Sequence, residues 1–171
     1  CIGGAMINRE QIHYCILGDL SFFYDMNAIG NRDIGDNLRI LLINNGGGHV
    51  FKHENAPGFK YFGNQVTGEY IAASGHFGNK SKTLVKDYAL NLGFDYLVAT
   101  NKESFVEHVD KFLNPNITKS MIFEIFTEDV DETEAFHIVE NIEISNVGKA
   151  KQFAKQILGN KGQKIVKDIL K

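Results

Sequence analysis

Cysteine is scarce in this 171-residue chain. The two that occur, Cys1 and Cys15, form no CxxC pair and no disulfide framework. That pattern fits a reducing, cytoplasmic setting, and no Cys/His or HxxxH spacing points to zinc. Cys15 lies inside the apolar run Ile12-His13-Tyr14-Cys15-Ile16-Leu17, where a thiol is expected to be buried and inert. Long apolar runs are also lacking. None approaches the roughly 20 residues of a membrane span, and no signal-peptide pattern is visible. Neither sign of charge dominates. A net charge of −3 gives no general attraction to nucleic acid or to a membrane, so neither is expected as a partner. Internal repeats and low-complexity tracts are missing as well.

What remains is ordinary for a globular protein, with 43% hydrophobic and 23% charged residues, and enough length for one domain with a sizeable core. Cys1 stands where an initiator Met would, and Ile2-Gly3-Gly4-Ala5-Met6-Ile7 reads like a helix or loop already under way. The chain is therefore expected to be a piece of a longer protein. Ile12 to Leu17 and Leu38 to Ile43 are short apolar runs closed by turn residues, as in strands buried on both faces of a parallel sheet. Between them, Ser21 can cap a helix carrying Phe22, Met26 and Ile29 on one side, ended by Gly30-Asn31. Strand, helix and strand make a right-handed βαβ unit.

His49 to Thr67 has no clean period and reads as a long loop with one helical turn at most. Glu69 to Phe77 is a weaker helical stretch, broken by Gly75. A better helix runs from Ser81 through Leu84, Val85, Tyr88, Ala89 and Leu92 to Gly93, followed by a strand from Phe94 to Ala99. Asn101 caps a further helix with Phe105, Val109, Phe112 and Leu113 inward and Glu103 and His108 outward. Asn114-Pro115-Asn116 stops it, and Met121 to Phe126 is the last strand. The alternation predicts a three-layer α/β/α doubly wound, mainly parallel sheet over residues 1–130, with a helical extension over 131–171. From Ser145 onward that extension holds seven lysines against one acidic residue, Asp168. Phe153, Ile157, Ile165, Val166 and Ile169 give it an apolar stripe for packing.

The densest chemistry lies at the ends of the first two strands. Gly18-Asp19-Leu20-Ser21 follows one, and Asn44-Asn45-Gly46-Gly47-Gly48 follows the other. A hard divalent cation such as Mg²⁺ takes oxygen ligands and is usually held by one or two carboxylates together with phosphates. Asp19 offers the carboxylate, Asn45 a neutral oxygen, and the glycines a turn that can expose a backbone carbonyl. Leu20 and Ser21 open the next helix, where free N–H groups favour phosphate oxygens. Taken singly, each half is also an ordinary turn. Together, past the carboxyl ends of adjacent strands, they occupy the usual ligand crevice of this fold class.

The two-part signature, with Phe22-Phe23-Tyr24-Asp25-Met26-Asn27-Ala28 after its first half, resembles the diphosphate-binding domain of thiamine diphosphate-dependent 2-oxo acid decarboxylases and carboligases. Within that family it is most similar to the menaquinone-pathway branch, which likewise carries Leu after the Gly-Asp pair. The close match covers residues 15–51. The resemblance implies Mg²⁺ ligation by Asp19, Asn45 and the Gly47 carbonyl. It also implies cofactor contacts from Gly18, Asp19, Leu20, Ser21, Asn45, Gly47 and Gly48. It implies a 2-oxo acid substrate, a pyrimidine-binding domain of the same protein bearing an essential glutamate, and a homodimer or homotetramer. Tyr24, Asp25 and the 49–67 loop are expected at the contact. This chain alone would then be inactive.

No residue here takes the glutamate's role, and catalytic residues stay unknown. His49, His53 and Glu54, close behind the glycine turn, are weak candidates for facing substrate, and His76 in Ser74-Gly75-His76-Phe77-Gly78 is another. His13 is expected to be a satisfied strand histidine, and His108 and His137 helix-surface residues. The segments 52–58 and 68–80 and the basic tail depart from the menaquinone branch. Alternatives are a naturally separate decarboxylase subunit and a non-catalytic ligand-binding module that kept the fold. A dinucleotide-binding domain is the weakest rival, because Gly-x-Gly-x-x-Gly is absent after the first strand.

Overall fold

A computed structural model of the chain describes residues 1–116 and 118–142. Contacts divide the chain at Asp129, and the unit from Cys1 to Asp129 carries the sheet. Its strands are β1 (His13–Gly18), β2 (Leu38–Asn44), β3 (Asp95–Ala99) and β4 (Met121–Phe126). All pairings are parallel, in the order β1-β2-β4-β3. Both the α/β class and the parallel sheet agree with the sequence reading.

The helices of this unit are α1 (Ile2–Ile7), α2 (Asp19–Tyr24), α3 (Pro57–Val66), α4 (Phe77–Lys80), α5 (Leu84–Asn91) and α6 (Lys102–Leu113). The strand order explains their sides. From β1 to β2 to β3 the chain moves one way across the sheet, and a right-handed crossover keeps its helices on one face. From β3 to β4 it turns back, which sends α6 to the opposite face.

Side chains alternate accordingly. Leu38, Ile40, Leu42 and Ile122 meet Phe22 of α2 and Val85 and Ala89 of α5 in one core. Leu97, Ala99, Met121 and Phe123 meet Phe105, Val109 and Phe112 of α6 in the other. Phe105 stacks on Phe123 at 5.6 Å, nearly parallel.

Several local expectations change. α2 begins at Asp19, not after Ser21, because Gly18 is extended (φ −77°, ψ 162°) and takes the N-cap position. The helix then gives way to a 3₁₀ turn at Met26–Gly30. The supposed loop after the glycines holds a 3₁₀ turn, His49–Lys52, and all of α3. α3 carries Phe59, Phe62 and Val66 at helical spacing, but it has no buried residue and is kinked where Gly63 adopts φ 73°, so the stripe is short, interrupted and easily passed over. A π turn at Thr67–Ile71 follows, where a broken helix from Glu69 was expected.

α5 starts at Leu84 rather than Ser81, with Thr83 as its N-cap. Asn101 caps α6 as expected, its side chain accepting from the Ser104 N–H at 2.8 Å in a reciprocal box. Leu113, expected inward, is half exposed. His108 lies 6.2 Å from the Phe123 ring and is only partly exposed, less outward than its spacing implied. His13 is satisfied, its Nε2 lying 3.2 Å from the Asn8 carbonyl.

Helix α7 (Asp129–Asn141), which begins at the unit boundary, covers the helix expected from Thr133 and starts four residues earlier. The basic stretch from Ser145 lies outside the described residues. No described helix is long and apolar enough to cross a membrane.

Candidate cation and phosphate site

Parallel strands deliver their carboxyl ends to one edge of the sheet, and β1 and β2 end side by side, Gly18 opposite Ile43. Asp19 follows at once. Its side chain is only 2% exposed, yet it is well supplied with donors. Oδ1 accepts from the Leu20 N–H at 2.8 Å. Oδ2 accepts from the Gly46 N–H at 2.8 Å and from His76 Nε2 at 2.7 Å. The carboxylate therefore ties together three segments: the start of α2, the turn after β2, and the loop before α4.

The turn after β2 earns its glycines. Gly46 has φ +84°, a conformation costly for any residue with a side chain, and a Cβ there would crowd Asn79 at 3.1 Å. A Cβ on Gly47 would lie 2.9 Å from the Ala72 carbonyl oxygen. Asn45 Oδ1 accepts from the Gly47 N–H at 3.2 Å, and the Gly47 carbonyl accepts from the His49 N–H at 3.0 Å. The Gly48 N–H donates to Ala72 O and the Gly75 N–H to Gly46 O, each at 2.7 Å. These bonds lace the turn to the 72–75 segment.

The two asparagines have different surroundings. Asn44 is fully buried and donates from Nδ2 to Glu124 Oε1 at 2.6 Å and to the Gly78 carbonyl at 3.0 Å. Tyr96 donates its hydroxyl to Glu124 Oε2 at 2.6 Å. Burial pushes the Glu124 carboxyl above the ordinary carboxylate value, against the lowering effect of these hydrogen bonds and of Lys82 nearby. Burial and the Glu124 contact push the Tyr96 hydroxyl up as well. Asn45, one residue on, is only partly buried in the turn.

Of the residues singled out in the sequence, Asp19 and the Asn45–Gly48 turn are thus brought together through the Gly46 contact. Gly18 lies at the strand end with open space where a Cβ would stand. Ser21 is exposed and lines a cavity of about 630 Å³ with Leu17 and Asp25. The Leu20 N–H, expected toward phosphate, is bonded to its neighbour Asp19. His49 and His53 are half-buried, and His53 Nδ1 accepts from the Asn55 N–H at 3.2 Å, while Glu54 is exposed. The histidine that reaches Asp19 is His76. Its sequence signal, a histidine set between Gly75 and Gly78, was visible but carried little weight.

The donor set suits a hard cation: one carboxylate, one carboxamide oxygen and one backbone carbonyl, with no thiolate. Among the described residues no group of three or more His, Cys, Asp and Glu side chains is placed to hold a metal. A site built on Asp19, Asn45 and Gly47 contains one such side chain, its other oxygens coming from a carboxamide and the backbone.

No family model matches the chain. Among curated proteins, the 2-succinyl-5-enolpyruvyl-6-hydroxy-3-cyclohexene-1-carboxylate synthase of Phocaeicola vulgatus is 36% identical over 143 residues, covering 81% of this chain and 24% of that protein. The synthase of the same name from Bacteroides fragilis is 38% identical over 125 residues, 72% of this chain and 21% of that protein. The chain is a homologue of these synthases. A third, from Flavobacterium psychrophilum, is 36% identical over 124 residues. The chain spans about a quarter or less of the length of these curated relatives. The kinship read from Gly18-Asp19 and Asn44-Asn45 is borne out at the level of this synthase family.

Proposed function

We propose that this chain is the part of a synthase-like enzyme that binds thiamine diphosphate by its diphosphate end, through Mg²⁺. The observation that supports this most is the buried Asp19 carboxylate joined to Gly46, which sets an acidic strand end against an oxygen-rich glycine turn. In this reading Asp19, Asn45 Oδ1 and the Gly47 carbonyl hold the cation. Gly18, Ser21 and Gly48 border the diphosphate. Leu20 contributes chiefly by fixing Asp19, since its N–H already serves that carboxylate.

When bound, thiamine diphosphate supplies the thiazolium chemistry that breaks and forms carbon–carbon bonds beside the carbonyl of a 2-oxo acid. The chain's own task is to hold and orient. A pre-bonded carboxylate needs no reorganisation when the cation arrives, and the Gly48–Ala72 and Gly75–Gly46 bonds keep the turn in one shape.

A partner domain and a second subunit complete the proposal. Large aromatics stand exposed in segments adjoining the site: Tyr24 at the end of α2, Tyr61 and Phe62 on α3, Tyr70 in the π turn and Phe77 beside His76. Exposed apolar surface of this kind marks interaction faces. In this reading the pyrimidine-binding domain with its glutamate, and a second subunit, would pack against these aromatics.

Calorimetric titration of the intact protein with thiamine diphosphate and Mg²⁺ tests the reading. Asp19→Ala and Asn45→Ala should each weaken binding, Asp19→Ala by at least about a hundredfold. Equal affinity in all three proteins would remove the assignment.

A further inference from the structure

The Asp19 carboxylate receives a donor from a segment that no part of the two-strand signature contains. From the π turn the chain bends back through Ala73 (φ 46°) and Gly75 (φ +77°), two left-handed positions that direct residue 76 toward the strand ends. Gly75 N–H is bonded to Gly46 O, so the bend is fixed to the glycine turn.

His76 itself is held on three sides. Its Nδ1 accepts from the Asn79 N–H at 3.3 Å, which leaves Nε2 as the protonated nitrogen, donating to Asp19 Oδ2 at 2.7 Å. Its ring packs edge-on against Phe23 of α2, with centroids 5.4 Å apart and planes at 63°. Gly78 presses on the same Phe23, so closely that a Cβ would lie 2.0 Å from the ring. The side chain is 17% exposed.

An ionised carboxylate offers about four lone-pair sites. The Leu20 N–H, the Gly46 N–H and His76 Nε2 take three, leaving about one direction open for an ion.

Resting on the cation-site reading above, we infer that His76 is a positioning residue for that site. It acts through Asp19, fixing the plane of the carboxylate and thereby the direction in which the cation is held. It also joins the α4 segment to the diphosphate end of the cofactor.

The test is titration of the intact protein with Mg²⁺ and thiamine diphosphate, comparing wild type with His76→Ala, His76→Leu and His76→Gln. Loss of an outer-shell partner of a metal ligand costs about 10–100-fold in affinity, and that loss is expected for His76→Ala and His76→Leu. The Gln amide can donate to Oδ2, so His76→Gln should recover most of it. Leu keeps apolar bulk against Phe23 and serves in place of Ala if Ala does not fold, with thermal midpoints checking each variant. Wild-type affinity in His76→Leu overturns the inference, as does tighter binding, which would make His76 a mere occupant of the cation's place. Failure of Gln to recover what Leu loses overturns it too. If wild type does not bind, or Asp19→Ala binds equally well, the cation-site reading itself is what has failed.

Discussion

Asn44 and Glu124, eighty positions apart in sequence, meet across 2.6 Å at the carboxyl end of the sheet, both fully buried. Asn44 closes β2 and Glu124 sits in β4, so the bond crosses a strand pair directly beneath the glycine turn. Tyr96 completes the acceptor's coordination from β3, and the Gly78 carbonyl uses Asn44's second proton. Each polar group is matched inside a core that would otherwise reject it.

Removing the acceptor should be expensive. Glu124→Ala leaves one Asn44 amide proton and the Tyr96 hydroxyl without a partner, while the Asn44 bond to Gly78 persists, at about 1–3 kcal/mol for each lost acceptor. Glu124→Gln keeps one oxygen, and the Tyr96 hydroxyl can turn to accept from the new amide, so its loss should be the smaller. Denaturant unfolding of the three proteins gives the comparison.

The same carboxyl carries a pH signature. Its native value is raised by burial, whereas in the unfolded chain it returns to about 4.3. Between those two values the native state holds the extra proton, so this group's contribution to stability is complete below the unfolded value and declines as pH rises through the native one. The stability difference between wild type and Glu124→Gln should therefore shift in favour of Gln with rising pH across that window. Urea midpoints measured from about pH 4 upward would show it, and a constant difference would contradict it.

Gly78→Ala should cost about 1–3 kcal/mol through overpacking, because the new methyl collides with the Phe23 ring. Trimming that ring, in the double variant with Phe23→Leu, should return part of the loss. A double-mutant cycle with no coupling would argue against the contact.

Asn101→Ala removes the α6 cap and should lower stability by about 1 kcal/mol. α6 lies on the face opposite α2 and α5, so Mg²⁺-dependent cofactor affinity should stay at the wild-type value. This variant separates general destabilisation from damage to the site.

The strands were legible because each is a compact apolar run, and α6 because Asn101 and its inward Phe105, Val109 and Phe112 obey helical spacing. α3 was not, since its short stripe of Phe59, Phe62 and Val66 is interrupted by the bend at Gly63 and sits among glycines and a proline that read as loop. The start of α2 was misplaced by three residues because Ser21 is the better side-chain cap, while the backbone turns at Gly18 instead. At the site, Asp19 and Asn45 could be named from local patterns at two strand ends. His76 reaches Asp19 from fifty-seven positions away, through a bend set by backbone angles at Ala73 and Gly75, and no local pattern encodes that distance. The order of the strands was equally hidden, as it depends on where β4 inserts rather than on any one run.

The pair of 2.7 Å backbone bonds between the glycine turn and residues 72–75 has a mechanical corollary. Tyr70 and Phe77 flank the laced segment and are largely exposed, so in the reading proposed above the outer rings and the inner seat share one backbone clamp. On that reading a neighbour packed against those rings is expected to tighten the seat, which cation affinity measured with and without it would show.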